Sequence, residues 1–309
     1  MSLNEKTKAE LCEITYDQSC CKLAALSAFV RTAGSIVSEN RNYGLTLSAP
    51  ANCAEYYGGL MQDLFNARPV YNVGKSGITG FTVLNENSLS ILVELGIIRV
   101  DGNQLTLVIE PEDYLVENEC CKRAYVRGAF MGSGSLTVPD VKVKSTTTGY
   151  HLEFVFSNYL TALHFCNLLG SVNFLPKLIE RKGNYIVYFK QHEEIKDILA
   201  YMGAINAVLE FSDLVVFRDV KNQTNRVTNC EISNVNKQVE ASVKQCNAIK
   251  TIADTIGLEN LSDELAKTAK ARLKHSELPL SDLADLLGIS KSCLNHRLRK
   301  LTAIAENLK

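Results

Sequence analysis

Residues 19–36 read SCCKLAALSAFVRTAGSI and residues 119–136 read ECCKRAYVRGAFMGSGSL. Displaced by 100 positions without a gap, six residues coincide: Cys20/Cys120, Cys21/Cys121, Lys22/Lys122, Ala24/Ala124, Gly34/Gly134 and Ser35/Ser135. Leu26/Val126, Ala28/Gly128 and Ile36/Leu136 are conservative pairs. Self-similarity in register points to an internal duplication, which takes precedence over any element-by-element reading. Both segments have a helical pattern. Small residues recur where a partner helix would approach, at Ala24, Ala25, Ala28 and Ala33 in one copy and Ala124, Gly128, Gly132 and Gly134 in the other. Small side chains let two helix backbones pack closely. The pair therefore predicts a helix–helix seam on a pseudo-dyad, formed at Ala28, Gly34, Gly128 and Gly134.

The likeness continues, more weakly, after each helix. β-branched and aromatic runs at 36–47 and 136–156 read as strand pairs, followed by amphipathic helices at 55–65 and 160–169. Further strands follow at 69–73 and 80–84 in one half, and at 177–181 and 185–190 in the other. A closing helix then ends at Gly96 or Gly203, the residue type that favours a helix C-terminus. Each half reads helix–strand–strand–helix–strand–strand–helix. The fold class is α+β, present twice within residues 1–212, with repeat one at about 19–115 and repeat two at about 119–212.

Composition bounds the function. The chain has 309 residues, 33 Lys+Arg against 34 Asp+Glu, and 46% hydrophobic residues, enough for two or three domains with buried cores. A formal charge of −1 excludes a uniformly basic nucleic-acid-coating protein. No apolar run approaches the ~20 residues a bilayer requires, and the first residues lack the apolar core of a signal peptide. The expectation is a cytoplasmic protein with no membrane partner. Ten cysteines stand at 12, 20, 21, 53, 120, 121, 166, 230, 246 and 293, without a Cys-x-x-Cys pair, and the five histidines form no close array. Adjacent cysteines on one helix point to different faces, which is poor chelating geometry. They read as small buried thiols in a reducing compartment, with no metal or other cofactor.

The last third changes character. Residues 213–230, centred on the polar Lys221-Asn-Gln-Thr-Asn-Arg226, read as a linker, and a helical domain occupies 231–309 with Lys237, Lys244 and Lys250 on a long polar helix. Residues 261–301 read LSDELAKTAKARLKHSELPLSDLADLLGISKSCLNHRLRKL. A helix at 262–275 is followed by Pro279, by Ser281 as N-cap of a short helix at 282–287, by a turn at Gly288-Ile-Ser290, and by a third helix at 291–301 capped by Ser290. This is helix-turn-helix spacing, at about 281–301, with small Ala284 for close packing and Leu294 returning to the core. On the third helix Leu294, Leu298 and Leu301 share one face. Ser292, Asn295, His296 and Arg299 stand opposite, flanked by Lys291, Arg297 and Lys300. Asn and Arg make bidentate contacts to base edges, while Lys and Ser hold phosphates, and no acid interrupts residues 286–305. The expected contacts to double-stranded DNA are Ser290, Lys291, Ser292, Asn295, His296, Arg297, Arg299 and Lys300. Residues 218–309 contain 15 Lys+Arg and 11 acids, so the near-neutral total averages a basic reader and an acidic scaffold.

The two duplicated stretches, Leu26-Ser-Ala-Phe-Val-Arg-Thr-Ala-Gly34 and Val126-Arg-Gly-Ala-Phe-Met-Gly-Ser-Gly134, resemble the LAGLIDADG motif of homing endonucleases. More closely, CCKRAYVRGAFMGSGSLTVP resembles the central signature of the WhiA family of bacterial sporulation and cell-division regulators. Asn229-Cys-Glu-Ile-Ser-Asn-Val-Asn-Lys237 and the terminal SKSCLNHRLRKL resemble that family too. The resemblance implies a pseudo-twofold LAGLIDADG-like domain followed by an all-α helix-turn-helix domain, in a transcription regulator linked to sporulation and to cell division or chromosome segregation, acting at the nucleoid. In the nucleases, acids at the helix feet hold a divalent metal, because hard cations prefer oxygen ligands. Here the motif's acidic places are Arg31 and Ala33 in one copy and Met131 and Ser133 in the other, with Ala33 and Ser133 at the metal-binding place. Glu39 and Asp140 lie beyond the feet. The resemblance therefore implies a DNA saddle without nuclease chemistry. Secondary DNA contacts fall to Lys142 and Lys144, alternating on one strand face, and to Lys75, Arg181 and Lys182 in turns. Competing classes are a LAGLIDADG-type endonuclease, an RNA-binding maturase-like factor, and an adaptor whose first domain contacts transcription or cell-division proteins.

Overall fold

The computed structural model describes residues 1–39, 42–75, 77–139 and 149–308. Asp140, Lys142 and Lys144 lie outside the described residues. Contacts divide the chain into two units, Met1–Arg218 and Asp219–Lys309.

The first unit opens with α1 (Leu3–Leu11), whose N-terminus is closed by a capping box between Ser2 and Glu5. Repeat one follows as α2 (Ser19–Ala33), β1 (Gly34–Glu39), β2 (Asn42–Ser48), α3 (Ala51–Phe65), β3 (Val70–Gly74), β4 (Gly77–Val83) and α4 (Ser88–Glu94). A hairpin, β5 (Ile98–Asp101) and β6 (Gln104–Leu107), and a single turn, α5 (Asp113–Val116), connect the repeats. Repeat two is α6 (Glu119–Ser133), β7 (Gly134–Thr137), β8 (His151–Phe156), α7 (Tyr159–Gly170), β9 (Lys177–Arg181), β10 (Asn184–Phe189) and α8 (His192–Met202). The sheets have the same antiparallel order, β1-β2-β4-β3 and β7-β8-β10-β9, so the duplication holds in topology as well as sequence. Strand alternation divides their faces: in β8, Leu152, Phe154 and Phe156 enter the core while His151, Glu153 and Val155 do not.

The duplication reappears in the hydrogen bonding. Each closing helix ends in the paired bonds of a Schellman motif, Gly96 and Ile97 donating to Val93 and Leu92, Gly203 and Ala204 to Ala200 and Leu199. The seam helices then bind these ends through corresponding residues. The Ser27 hydroxyl donates to the Leu95 carbonyl at 2.7 Å, and Arg127 Nε donates to the Met202 carbonyl at 2.5 Å.

Helices α2 and α6 pack against each other along the pseudo-dyad, with Ala24, Ala25, Ala28, Ala124, Gly128 and Ala129 buried. A methyl at Gly128 would stand 2.9 Å from the Ala28 Cβ, and one at Gly132 would stand 3.0 Å from the Thr32 Cβ. Ala28 and Gly128 thus sit in the seam. Gly34 and Gly134 do not face across it: a methyl there would strike the preceding turn of its own helix, at Val30 and Phe130. They are small because each helix turns directly into a strand at that residue. The cysteines also depart from expectation. The thiols of Cys20, Cys21, Cys120 and Cys121 all lie within 4.8 Å of one another, because the faces that diverge on one helix are completed by the other helix.

In place of an irregular linker at 213–230, one helix, α9 (Ile205–Thr255), runs through that stretch and through residue 231. Its polar composition carries no Gly or Pro, so nothing interrupts the backbone. Buried Ala207, Phe211 and Val215 anchor its first turns, and buried Ile249 and Ile252 its last.

Candidate nucleic-acid interface

In the second unit, α10 (Asp263–Lys274), α11 (Leu280–Leu286) and α12 (Lys291–Asn307) follow α9. Leu265, Ala269, Leu283, Ala284, Leu294, Leu298, Leu301 and Ala305 form the core with Ile249 and Ile252. Ala284 is fully enclosed, as the tight crossing of α11 and α12 requires. The turn between them needs a left-handed residue, and Gly288 supplies it at φ 62°. Its N–H donates to Asp285 and that of Ile289 to Ala284, closing α11 so that α12 can start three residues later. The start of α11 departs from expectation. Pro279 occupies the N-cap and the helix begins at Leu280, placing Ser281 inside the first turn, bonded to the neighbouring Asp282 carboxylate at 2.9 Å.

Ser290 caps α12, its hydroxyl accepting from the Cys293 N–H at 3.2 Å. Lys291, Ser292, His296, Arg299 and Lys300 are exposed, and Asn295 is half-buried. Ser292, Asn295, His296 and Arg299 follow one another at three- and four-residue steps, which puts them on one ridge. Opposite lie the enclosed Leu294, Leu298 and Leu301. The arrangement is a rigid helix presenting an acid-free polar ridge, with its positive N-terminal end exposed.

Two arginines depart from their basic role. Arg297, expected among the DNA contacts, pairs with Glu264 of α10 at 3.0 Å with its side chain 18% exposed. Arg272 is enclosed: Nε donates to Gln245 Oε1 at 2.9 Å and a terminal nitrogen to the Leu278 carbonyl at 2.7 Å. It ties the bend before α11 to α9. Its place among charged neighbours in sequence hid this role, and the one available signal was its position on the apolar face of α10, four residues after Thr268 and three after Ala269.

In the first unit, Lys75 and Lys182 stand at the tips of corresponding hairpins, β3–β4 and β9–β10, whose last pairs are Gly74–Gly77 and Arg181–Asn184. Arg181 is exposed at the end of β9. Ala33 and Ser133 end α2 and α6, so neither helix closes on a carboxylate residue. Glu153 lies opposite Ser135 on β8, but its oxygens are engaged by the Ser135 hydroxyl at 3.2 Å and by His151 at 2.9 Å. Glu39 ends β1, exposed. Arg31 is drawn inward at its acidic motif place and donates to the carbonyls of Val108 at 2.7 Å and Ile109 at 3.1 Å. It holds the connection between the repeats, and burial lowers its affinity for its proton.

A duplicated α+β unit joined to a helix-turn-helix defines a DNA-binding regulator. Comparison with known proteins gives the family. Residues 224–305 match the WhiA C-terminal HTH domain and residues 122–221 the WhiA LAGLIDADG-like domain. A probable cell division protein WhiA of Alkaliphilus metalliredigens is 33% identical over 318 residues, 99% of this chain and 98% of its own. One of Bacillus pumilus is 36% identical over 321 residues, 100% and 98% of the two chains. The crystal structure of a full-length DUF199/WhiA from Thermatoga maritima shares the fold, with a TM-score of 0.58 at 22% identity over 99% of both chains. The chain belongs to the WhiA family. No helix among the described residues is long and apolar enough to cross a membrane.

Proposed function

We propose that this protein is a sequence-specific, DNA-binding transcription regulator that reads bases with Ser292, Asn295, His296 and Arg299 of α12. Lys291 and Lys300 sit where they would meet phosphates. The observation that carries the reading is the polar, acid-free ridge of α12, backed by a helix core that fixes its orientation. Ser290 caps the helix by accepting at its hydroxyl oxygen, which leaves its O–H to donate to a phosphate, while Arg297 braces α10 and leaves the set of direct contacts. Lys75, Arg181 and Lys182 would give the first unit secondary phosphate contacts. Its role is otherwise that of a scaffold, open to transcription or cell-division proteins. With Ala33 and Ser133 at the helix feet, the two motif places carry no carboxylate of the kind that metal-assisted strand cleavage uses. The name borne by the relatives, probable cell division protein, supports a role in cell division, and the family resemblance extends that to sporulation and chromosome segregation.

Genome-wide chromatin capture, followed by gel shifts with the recovered and scrambled sequences, tests the reading. Enrichment at discrete sites and preferential binding are expected. Equal affinity for both sequences would overturn specificity. Tighter binding to structured RNA would transfer the chain to the maturase-like class, and plasmid cleavage with Mg²⁺ that follows the protein peak would restore the endonuclease reading.

A further inference from the structure

The four cysteines at the top of the seam lie outside the proposed DNA-reading helix, and their placement is specific. Cys20 and Cys21 occupy the second and third residues of α2; Cys120 and Cys121 occupy the same places in α6. Hydrophobic packing between two helices requires small or apolar residues at such positions, but not four thiols. Each repeat contributes the same adjacent pair, and the dyad brings the pairs together with every Sγ within 4.8 Å of the other three. A tetrahedral zinc ion with Zn–S bonds of about 2.3 Å separates its sulfurs by about 3.8 Å. No sulfur pair in the observed set exceeds that separation by more than about 1 Å.

We propose that Cys20, Cys21, Cys120 and Cys121 form a structural four-thiolate site for one zinc ion that clamps the N-terminal ends of the two seam helices. The ligand chemistry fits: four soft sulfur donors in a compact set select zinc over the hard cations that the scaffold's nuclease relatives use. A polynuclear iron–sulfur cluster would place sulfides between the ligands and hold the thiolates further apart. Both helix N-termini turn the positive end of the helix dipole towards this point, which offsets part of the burial that raises the Cys21 and Cys121 thiols. Cys21 and Cys121 are buried, Cys20 is half-buried and Cys120 exposed, so two ligands are fixed by packing and the others leave an entry path. Gln18 lies over that entry, its amide oxygen 3.4 Å from Cys20 Sγ and 3.7 Å from Cys120 Sγ. Reversal of the amide would direct its NH₂ to the thiolates, as outer-shell donors do around zinc.

The site differs from the nuclease metal centre in ligands, in metal class and in position, since it lies at the opposite end of the same two helices. It would join the repeats at the end of the seam where no β-strand follows.

The test uses the full chain purified under reducing, chelator-free conditions. Metal content is measured by mass spectrometry, and the apo protein is titrated with Co²⁺ and then Zn²⁺. About one zinc per chain, and the intense visible bands of a tetrahedral Co²⁺–thiolate set displaced by Zn²⁺, are expected. The double variant Cys20→Ser/Cys120→Ser should lose metal at least about tenfold, while Cys230→Ser, exposed on α9, should keep it. A reduced wild-type chain that takes up no Zn²⁺ and gives no thiolate-type Co²⁺ spectrum would overturn the proposal. So would unchanged stoichiometry in the double variant, or recovery of the four thiols as two disulfides. If circular dichroism shows the double variant unfolded, the wild-type Co²⁺ titration decides.

Discussion

Gly128 meets Ala25 across the seam with no room for a methyl group: a Cβ on Gly128 would lie 2.9 Å from the Ala25 carbonyl carbon. The obstacle is backbone, which cannot rotate away as a side chain can. Gly128→Ala must therefore separate α2 from α6, and overpacking of this kind costs about 1–3 kcal/mol. Gly59→Ala is the matched control, because Gly59 lies within α3 with nothing in reach of an added methyl. That change should instead stabilise by about 0.5–1 kcal/mol through helix propensity. Urea denaturation of both variants checks the contrast, and equal effects would count against close contact at Gly128.

Arg299→Ala and Asn295→Ala should each lower affinity for the recognised sequence by about 1–3 kcal/mol while changing affinity for scrambled DNA much less. Lys291→Ala should weaken binding to all sequences alike and reduce the salt slope by about 1. Arg297→Ala separates brace from contact: loss of its bond to Glu264, whose carboxylate side is 72% exposed, should cost under about 1 kcal/mol of stability and leave the preference for matched DNA unchanged. Salt-dependent titrations with matched and scrambled duplexes distinguish the three behaviours.

Removing Arg272 leaves the Leu278 carbonyl and Gln245 Oε1 without their donors inside the second unit. Both acceptors are half-buried and partly reachable by water, so Arg272→Met should cost about 1–3 kcal/mol, the apolar replacement recovering part of the packing. Thermal unfolding should show the loss, and reduced DNA affinity should follow from the loosened bend before α11. A fully stable variant would contradict the enclosed geometry.

Tyr57 is fully buried, its ring stacked on Phe29 at 3.8 Å between centroids, and burial holds its phenol well above the ordinary value of 10. The unfolded chain therefore releases this proton first as pH rises. The associated stability is fully present below pH 10 and is lost as pH climbs from there towards the folded-state value, by about 1.4 kcal/mol per pH unit. Tyr57→Phe should flatten the alkaline limb of the stability profile by that slope and leave the limb below pH 9 in place. Parallel slopes above pH 10 would show that the ring is accessible to ionisation when folded.

The duplication was legible because helix pairing imprints small residues in register and because both copies end in glycine before a strand. The same local signals placed Gly288 and Ser290. What the sequence concealed has a common physical origin. The β5–β6 hairpin has strands of only four residues, too short for their alternation to stand out, and every side chain but Ile98 is exposed. The middle of α9 is rich in Asn and Thr, which favour turns as isolated residues, yet a helix without Gly or Pro continues when packing holds both ends. Convergence of the cysteines, and the inward turns of Arg297 and Arg272, depend on which residues of a second helix lie opposite. Adjacency along one helix could not show that.

The seam has one more consequence, which concerns its asymmetry. A dimer of identical chains must place the same residue on both sides of its axis, so close approach by glycine would weaken both helices at once. Because both repeats belong to one polypeptide, position 28 keeps alanine, the best helix former, while position 128 gives way to glycine. Fusion also makes the encounter of α2 and α6 independent of protein concentration. The gene duplication thus turned a symmetric handshake into a fitted pair, in which each half could specialise without waiting for its copy to tolerate the same change.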